Sequence, residues 1–533
     1  MGRCNFRTPF NTEITSVAVL CSPVKLILEI TTKEIDVANA PDVLPSGSLR
    51  QQTIWGMIWM VGQSVCTKLV SVVGQIALAY ILLPDDFAAI SLTYTVAAFA
   101  RILENAGLRE VLVHRGSDFY KWSNSGFWLS LLFGAISSLL MVASAPIAEN
   151  VFQSELVRNL LYWLAITPIV SSLSVVPLAI LQSQHRFRAL AGLAAAFGVA
   201  QIVATVAFAF FGGGAFSFVF GTIVSSLINT SVAWWMATPS IQLSWELAKW
   251  KSLWTDTLSL TLVGLATTVI QQIDYMMLGI FQPKELVGYY FFAFGIATQT
   301  TQMISANISS VFLPILSKIQ SDPIRQLAAS VNALQVLAAI GIPLSFLQCG
   351  VTQSGFEIFL PEKWKPAIPY AQVLSLGLGL NMLSSLCWSL LKSQGRFRTI
   401  LYINTVSAVI FSTAVAFGAA YGTPLTVSLL VAALCGVYSP TIMWLAFRRI
   451  GGNWGTVANV FFAPLVLSVV SLAVAWQLEA VVGAASSFAA FRFLSVACAF
   501  CIVYLIGLIV VKHPLLAEVL GWLRKRNELH SAA

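Results

Sequence analysis

Long apolar segments follow one another through most of this chain and leave little room for any other kind of structure. A membrane-spanning helix needs about 20 mostly apolar residues. The stretches that meet this requirement are 53–82, 86–107, 122–146, 157–182, 189–211, 214–236, 254–281, 286–316, 325–349, 366–391, 399–420, 423–446, 457–477 and 488–511. A barrel would need short alternating strands instead. The sequence therefore predicts an all-α polytopic membrane protein with about fourteen transmembrane helices.

The scarcity of charge supports this class. Only 10% of the 533 residues are charged and 57% are hydrophobic, whereas a soluble domain carries about 25% charged residues. A surface with so little charge must face lipid, so membrane lipids are expected partners. The net charge of +8 does not indicate a nucleic-acid partner, because the basic residues gather in loops on one side of the membrane.

Lysine and arginine predict the orientation of the chain. Loops that follow even-numbered spans are rich in them, as at Arg186, Arg188, Arg396 and Arg398. The opposite loops and their edges hold few, namely Arg158, Lys284, Lys363, Lys365 and Arg492. The positive-inside rule then places both termini in the cytoplasm, which agrees with an even number of spans.

Two pairs of similar segments predict an internal repeat. The string LQSQHRFRAL at 181–190 returns as LKSQGRFRTI at 391–400, and the turn LPDDFAA at 83–89 resembles QPKELVG at 282–288. Parallel repeats are a common build for transporters, with the binding site between the halves. We expect an N-terminal cytoplasmic tail (1–50), two six-helix bundles (51–250 and 251–450), and two further helices with a basic cytoplasmic tail (451–533).

The sequence offers no support for a catalytic residue, a metal site or a cofactor. The eight cysteines are scattered, and the one C-x-x-C, at Cys498 and Cys501, lies inside an apolar run. The four histidines form no cluster. Packing is the expected role of the cysteines.

Six segments of the chain contain motifs that occur in a fixed order, at residues 78–87, 104–113, 273–279, 311–320, 362–364 and 394–398. These motifs resemble those of the Wzx-type polysaccharide flippases of the MOP superfamily, and of their WzxC-like branch in particular. Ala88 stands where that family usually has glycine, and residues 1–48 have no counterpart in it.

This resemblance implies a fold and a function. The fold would be that of the MATE and MurJ transporters, in a bacterial inner membrane. The cargo would be an undecaprenyl-pyrophosphate-linked oligosaccharide repeat unit, flipped to the outer leaflet by alternating access for exopolysaccharide, capsule or O-antigen biosynthesis. A polysaccharide polymerase and export machinery would be further partners.

Ionisable and polar residues deep inside spans are the candidate cavity residues. Lys68 lies in the middle of the first span, where a lysine that faced lipid would cost about 2.5–3.5 kcal/mol, so we expect it to face a cavity. Arg101 and Glu104 lie three residues apart on one face of the second span. Either the two residues form a mutual ion pair, or Arg101 contacts the cargo pyrophosphate at the cytoplasmic side. In the second case Glu104 is the tuning partner of Arg101 or a proton site.

A second polar group lies in the seventh span. Gln271, Gln272 and Asp274 either line the cavity and contact sugar hydroxyls, or form interhelical hydrogen bonds that hold the bundle together. The arginine pairs of the two RFR strings are expected to act first as anchors at the cytoplasmic face.

Two other classes of function stay open. Another exporter of the same fold, either a lipid II flippase or a drug/cation antiporter, is the nearer one. An antiporter should carry acidic residues deep in its first half, whereas the deepest charge here is basic Lys68. A membrane polysaccharide polymerase or ligase is the other, but the longest outer loop, near 350–365, contains no histidine.

Overall fold

The computed structural model describes residues 67–511, except for 105–106, 116–117, 185, 243–246 and 486–487. The expected tails, 1–50 and the basic segment after residue 511, lie outside the described residues. Every regular element in the described part is a helix, which confirms the prediction of an all-α protein.

The first described helix of the chain ends at a proline turn. Pro84 occupies the first position of the next helix, and the Asp86 carboxylate accepts a hydrogen bond from the Leu83 amide at 3.0 Å; proline and a first-turn acid both favour a helix start. The described helices of the first half are α1 (Thr67–Ile81), α2 (Pro84–Ala100), α3 (Leu108–His114), α4 (Phe119–Phe152), α5 (Glu155–Leu164), α6 (Ile166–Ser172), α7 (Val175–Ser183), α8 (Phe187–Phe210) and α9 (Phe216–Ala237).

The second half follows the same plan of long helices and tight turns. Asp322 caps its third helix by accepting from the Arg325 amide at 3.0 Å. The helices are α10 (Leu247–Phe281), α11 (Lys284–Lys318), α12 (Pro323–Phe359), α13 (Ile368–Asn381), α14 (Ser384–Ser393), α15 (Phe397–Tyr421), α16 (Pro424–Phe447), α17 (Trp454–Ala485) and α18 (Ala489–Val511), with 3-10 turns at Glu362–Ala367 and Arg448–Ile450.

Within the described residues, ten helical segments are long and apolar enough to cross a membrane. They are Phe119–Phe152, Glu155–Ser183, Arg188–Phe210, Phe216–Ala237, Pro323–Phe359, Glu362–Ser393, Phe397–Tyr421, Pro424–Ile450, Trp454–Val482 and Ala489–Val511. The chain is therefore a multi-pass membrane protein. The other four predicted spans fall on α1, α2, α10 and α11, which are shorter or less apolar, so the count of fourteen stays a prediction.

Two predicted spans are interrupted, at matching places in the two halves. The span 157–182 breaks at Ala165 and again at Leu173 and Ser174, and the span 366–391 breaks at Met382 and Leu383. In the first half the following helices carry Pro168 and Pro177 near their starts, and proline removes a backbone donor from the helical ladder. Each break lies shortly before an RFR string.

The RFR strings themselves make matching contacts. Arg186 Nη1 donates to the carbonyl oxygen of Met236 at 3.0 Å, and Arg396 Nη1 donates to that of Leu445 at 2.9 Å. Each arginine thus bonds a carbonyl in the last turn of a long helix of its own half, α9 or α16, where cations are favourable. These paired contacts support the internal repeat, whose overall arrangement stays a prediction.

The two ends of the bundle differ in how the halves meet. We call the end that holds Pro84 and Pro283 the proline-turn end, and the opposite end, with Arg186 and Arg396, the basic end. At the proline-turn end one continuous hydrophobic core joins both halves. It includes Phe87, Leu160, Val219, Phe292, Trp364 and Val427.

At the basic end the cores are separate. One cluster belongs to the first half, with Leu112, Phe133 and Ile180, and takes in only the start of α10 from the second half at Leu253. Another cluster, which includes Leu316 and Phe447, lies wholly within α11–α18. The halves of the described structure therefore share one core at the proline-turn end, whereas at the basic end each half has its own core and the start of α10 packs on that of the first half.

The last two helices pack on the second half. Tyr504 Oη in α18 donates to the carbonyl oxygen of Ala339 in α12 at 2.9 Å. Arg492, at the start of α18, forms an ion pair with Glu357 at the end of α12. These contacts hold α18 against α12.

Candidate functional site

Arg101 and Glu104 form a close ion pair just past the end of α2. Arg101 Nε and Nη2 donate to the two carboxylate oxygens of Glu104 at 2.6 and 2.8 Å. Ser171 Oγ in α6 donates to Glu104 Oε1 at 2.5 Å. The Glu104 side chain is 7% exposed and that of Arg101 is 28% exposed. The structure thus realises the ion-pair interpretation, while its cargo role stays a prediction.

A cavity of about 260 Å³ lies beside this pair, inside the first half. Water occupies about 30 Å³ per molecule in the liquid, so the cavity has room for several waters or one small polar group. It is lined by Glu104, Gly107, Leu108, Arg109, Glu110, Ser130, Phe133, Ser171, Ser172, Ser174, Val175 and Leu178.

The serines of this cavity present acceptors. The hydroxyls of Ser130, Ser172 and Ser174 donate to backbone carbonyls three residues earlier, at 2.8, 2.7 and 2.7 Å. Their protons are therefore engaged, and the remaining lone pairs are available to a donor in the cavity. Sequence reasoning missed these serines because it treated the span 157–182 as one unbroken helix.

Arg109 is the cation of the cavity wall. It lies in α3, between spans, and its Nε donates to Gln182 Oε1 at 2.8 Å. Burial lowers the pKa of Arg109, and the neighbouring Glu110 carboxylate acts in the opposite direction; a guanidinium remains charged in either case. The sequence assigned Arg109 only to the basic side of the membrane.

Lys68 lies on the seam between the halves. Its Nζ donates to Gln302 Oε1 in α11 at 2.5 Å, so a first-half helix and a second-half helix share this bond. Further along the same seam Gln299 Nε2 donates to Gln75 Oε1 at 3.2 Å, and Ser71 lies within reach of it at 3.5 Å. Residues 68, 71 and 75 share one face of α1, and this face is polar.

The three residues predicted in the seventh span lie in three different environments. Gln272 accepts a hydrogen bond from Thr95 Oγ1 in α2 at 3.2 Å and so links the halves. Asp274 is 5% exposed; its carboxylate accepts from Tyr290 Oη at 2.8 Å and from the Tyr275 amide at 2.9 Å. Gln271 is exposed. The bonds of Gln272 to Thr95 and of Asp274 to Tyr290 are interhelical.

The six predicted residues are therefore not gathered in one pocket. Glu104 lines the first-half cavity and pairs with Arg101, and Lys68 lies on the α1–α11 seam. Gln272 and Asp274 pack between α2, α10 and α11, and Gln271 is exposed. Among the residues that the structure describes, no group of three or more His, Cys, Asp or Glu side chains could hold a metal ion.

Comparisons with known proteins agree with the fold and with the motifs. A family model described as "Polysaccharide biosynthesis protein" matches residues 77–369. The teichuronic acid biosynthesis protein TuaB of Bacillus subtilis is 22% identical over 441 residues, which is 79% of this chain and 88% of TuaB. The lipopolysaccharide biosynthesis protein WzxC of Escherichia coli is 20% identical over 373 residues, 70% of this chain and 76% of WzxC.

Solved structures of similar fold are transporters. The lipid II flippase MurJ in an inward closed conformation aligns with a TM-score of 0.69 at 15% identity, covering 86% of this chain and 100% of MurJ. An inward-facing multidrug resistance MATE transporter of the MOP superfamily aligns with a TM-score of 0.57 at 13% identity, covering 76% of this chain and 99% of that one. The resemblance predicted from the six segments is confirmed.

Proposed function

We propose, because the chain belongs to the polysaccharide biosynthesis protein family, that it is a flippase for a lipid-linked oligosaccharide. The cargo is an undecaprenyl-pyrophosphate-linked repeat unit that moves from the inner to the outer leaflet of a bacterial inner membrane. The relatives' names, which refer to teichuronic acid and lipopolysaccharide biosynthesis, support cargo of this chemical class.

The observation that carries this proposal is the unequal packing of the two ends. The halves share one core at the proline-turn end and have separate cores at the basic end. Rocking of one half against the other is the usual form of alternating access, and an extensive contact at one end with a smaller one at the other suits such a motion. In the proposed orientation the proline-turn end is the outer end and both termini are cytoplasmic.

Lys68 is the proposed contact for the cargo pyrophosphate. It is a cation on the seam between the halves, and its Nζ bonds only a neutral amide, Gln302, among the described residues. A neutral partner can be exchanged for a phosphate oxygen with a gain in charge-assisted bonding. Arg101 is a weaker candidate because Glu104 already takes two of its donors.

The remaining candidates serve the sugar part or the scaffold. Exposed Gln271 is free to contact hydroxyl groups, whereas Gln272 and Asp274 hold helices together. The serine-lined cavity beside Glu104 offers acceptors to a polar group of the cargo.

A gene deletion in the source organism tests the function. We expect loss of a surface polysaccharide and accumulation of its lipid-linked repeat unit at the inner leaflet, both restored by a plasmid-borne wild-type copy. Unchanged surface polysaccharide with no accumulated intermediate contradicts the proposal.

Reconstitution separates this function from the antiporter alternative. Vesicles that contain the purified protein should expose a fluorescent lipid-linked oligosaccharide to an added glycan-cleaving enzyme faster than empty vesicles do. Transport of lipophilic cations without movement of the glycolipid would favour the antiporter.

A further inference from the structure

The 3-10 turn Glu362–Ala367, which follows α12 in the second half, reaches across to the first half. Lys363 Nζ donates to the carbonyl oxygen of Leu82 at 2.7 Å and to that of Tyr80 at 3.3 Å. These carbonyls belong to the end of α1, where helix carbonyls have no partner within the helix. The lysine therefore caps a helix of the opposite half.

Trp364, the next residue, is inserted between the halves. It is fully buried, and its Nε1 donates to the carbonyl oxygen of Ala79 in α1 at 2.9 Å. Its ring stacks on Phe292 of the second half with centroids 4.0 Å apart and meets Phe87 of the first half edge-on at 5.0 Å. One side chain thus joins the aromatic residues of both halves.

A second contact between the halves lies at the same end. Lys284 Nζ at the start of α11 donates to the carbonyl oxygen of Gln153, just past the end of α4, at 2.7 Å. Gly288 packs so closely against Pro84 that a Cβ there would overlap the proline carbonyl. The proline turns that the sequence repeat singled out therefore meet face to face.

We propose that Lys363 and Trp364 form a latch that keeps the proline-turn end closed and releases once in each transport cycle. This inference rests on the proposed function, because only a protein that opens at both ends needs a latch. Its polar bonds suit reversible use: both the ammonium group and the helix-end carbonyls can be hydrated when the halves part. The motif at 362–364 thus has a proposed role in holding the halves together, which is separate from cargo binding.

Reversible cross-linking tests whether the latch must open. In a cysteine-free background, Gln153→Cys and Lys284→Cys, exposed positions on opposite halves of the same end, are joined by a short, reducible bis-methanethiosulfonate. The matched control joins Gln282→Cys and Thr423→Cys, which lie at the same end but within the second half, where Gln282 Nε2 donates to the Gly422 carbonyl oxygen at 3.1 Å.

We expect the linked Gln153–Lys284 pair to lower glycolipid export by at least about tenfold, because the linker holds the proline-turn end in its closed state, and reductant to restore it. The control pair should export normally with and without the linker. Undiminished export with Gln153→Cys and Lys284→Cys linked, failure of the two cysteines to link although each is labelled singly, or equal loss in the control pair would each overturn the latch. Absence of export by the wild-type protein would contradict the proposed function instead.

A second measurement needs no cargo. Spin labels at Leu83→Cys and Tyr421→Cys, both exposed and on opposite halves of the same end, report their separation by electron–electron double resonance. Lys363→Ala and Trp364→Phe should add a longer-distance population. Lys365→Ala, which removes a lysine paired with Glu362 inside the same turn at 2.8 Å, should leave the wild-type distribution. A latch variant with the wild-type distribution would contradict the proposal.

Discussion

At the scale of single residues, the charges inside the bundle have different partners and therefore different freedom. Glu104 receives three hydrogen bonds from Arg101 and Ser171, and Asp274 receives two, from Tyr290 and the Tyr275 amide. Lys68 has a neutral amide for a partner. The carboxylates are thus committed to the fold, while the lysine can change its partner at little cost.

The Arg101–Glu104 pair predicts a stability effect that depends on both residues. Glu104→Gln leaves a half-buried guanidinium with a neutral partner, and we expect the free energy of unfolding to fall by about 2 kcal/mol. Arg101→Met combined with Glu104→Gln removes both charges and should recover most of the loss. Thermal unfolding of detergent-purified variants measures this. A double variant as unstable as Glu104→Gln would contradict a mutual ion pair.

Lys68 predicts a transport effect without a stability effect. Lys68→Met keeps the length of the side chain and removes the charge, so the amount of folded protein should be unchanged. Export should fall by about tenfold or more, since a hydrogen bond to a charged group contributes roughly 1.5–3 kcal/mol. Lys68→Arg is the matched control and should retain export. Normal export from Lys68→Met would remove the pyrophosphate role.

At the scale of elements, the two halves share one local feature, which is a helix break followed by an RFR string. A break precedes each string, and each string returns an arginine to a helix end of its own half. The second arginines, Arg188 and Arg398, are exposed. The contacts that recur in both halves are therefore the structural ones, made by the first arginine of each string.

Matched substitutions check this use of the strings. Arg186→Gln and Arg396→Gln should each lower the free energy of unfolding by about 0.3–1 kcal/mol, the usual value of a cation at a helix C-terminus. Adding Arg188→Gln to Arg186→Gln should change abundance or topology more than turnover per folded molecule. Folded abundance and export per molecule are compared with the exposed controls Arg188→Gln and Arg398→Gln. Full abundance with no export would instead indicate a direct role in transport.

At the scale of the whole molecule, the arrangement of the halves predicts which end meets which side of the membrane. A membrane-impermeant maleimide added to intact cells should label Leu83→Cys, at the proline-turn end, and should not label Lys392→Cys, at the basic end. Both positions are exposed. Permeabilised cells, in which both should react, provide the control. The reverse labelling pattern would invert the proposed orientation.

Apolar length and the scarcity of charge were enough to predict a helical membrane protein, because lipid leaves few alternatives for a backbone. The internal repeat could be predicted from the two RFR strings, because a helix end that occurs in both halves needs the same turn and the same arginine in each. The partners of Asp274 were not predictable, since Tyr290 is apolar in pattern and its hydroxyl becomes relevant only when α10 and α11 are packed. The cavity beside Glu104 was missed because hydrophobicity does not reveal the break at Leu173 and Ser174.

The aromatic contact of Phe87, Phe292 and Trp364 has an electrical consequence. A bundle that opens a hydrated path for a large hydrophilic head group can also let ions leak across the membrane. Each elementary charge that crosses 100 mV releases about 2.3 kcal/mol. Fully buried rings fill the contact between the halves at the proline-turn end. We therefore expect the side chains that join the two halves to hinder the passage of water, protons and ions at this end as well.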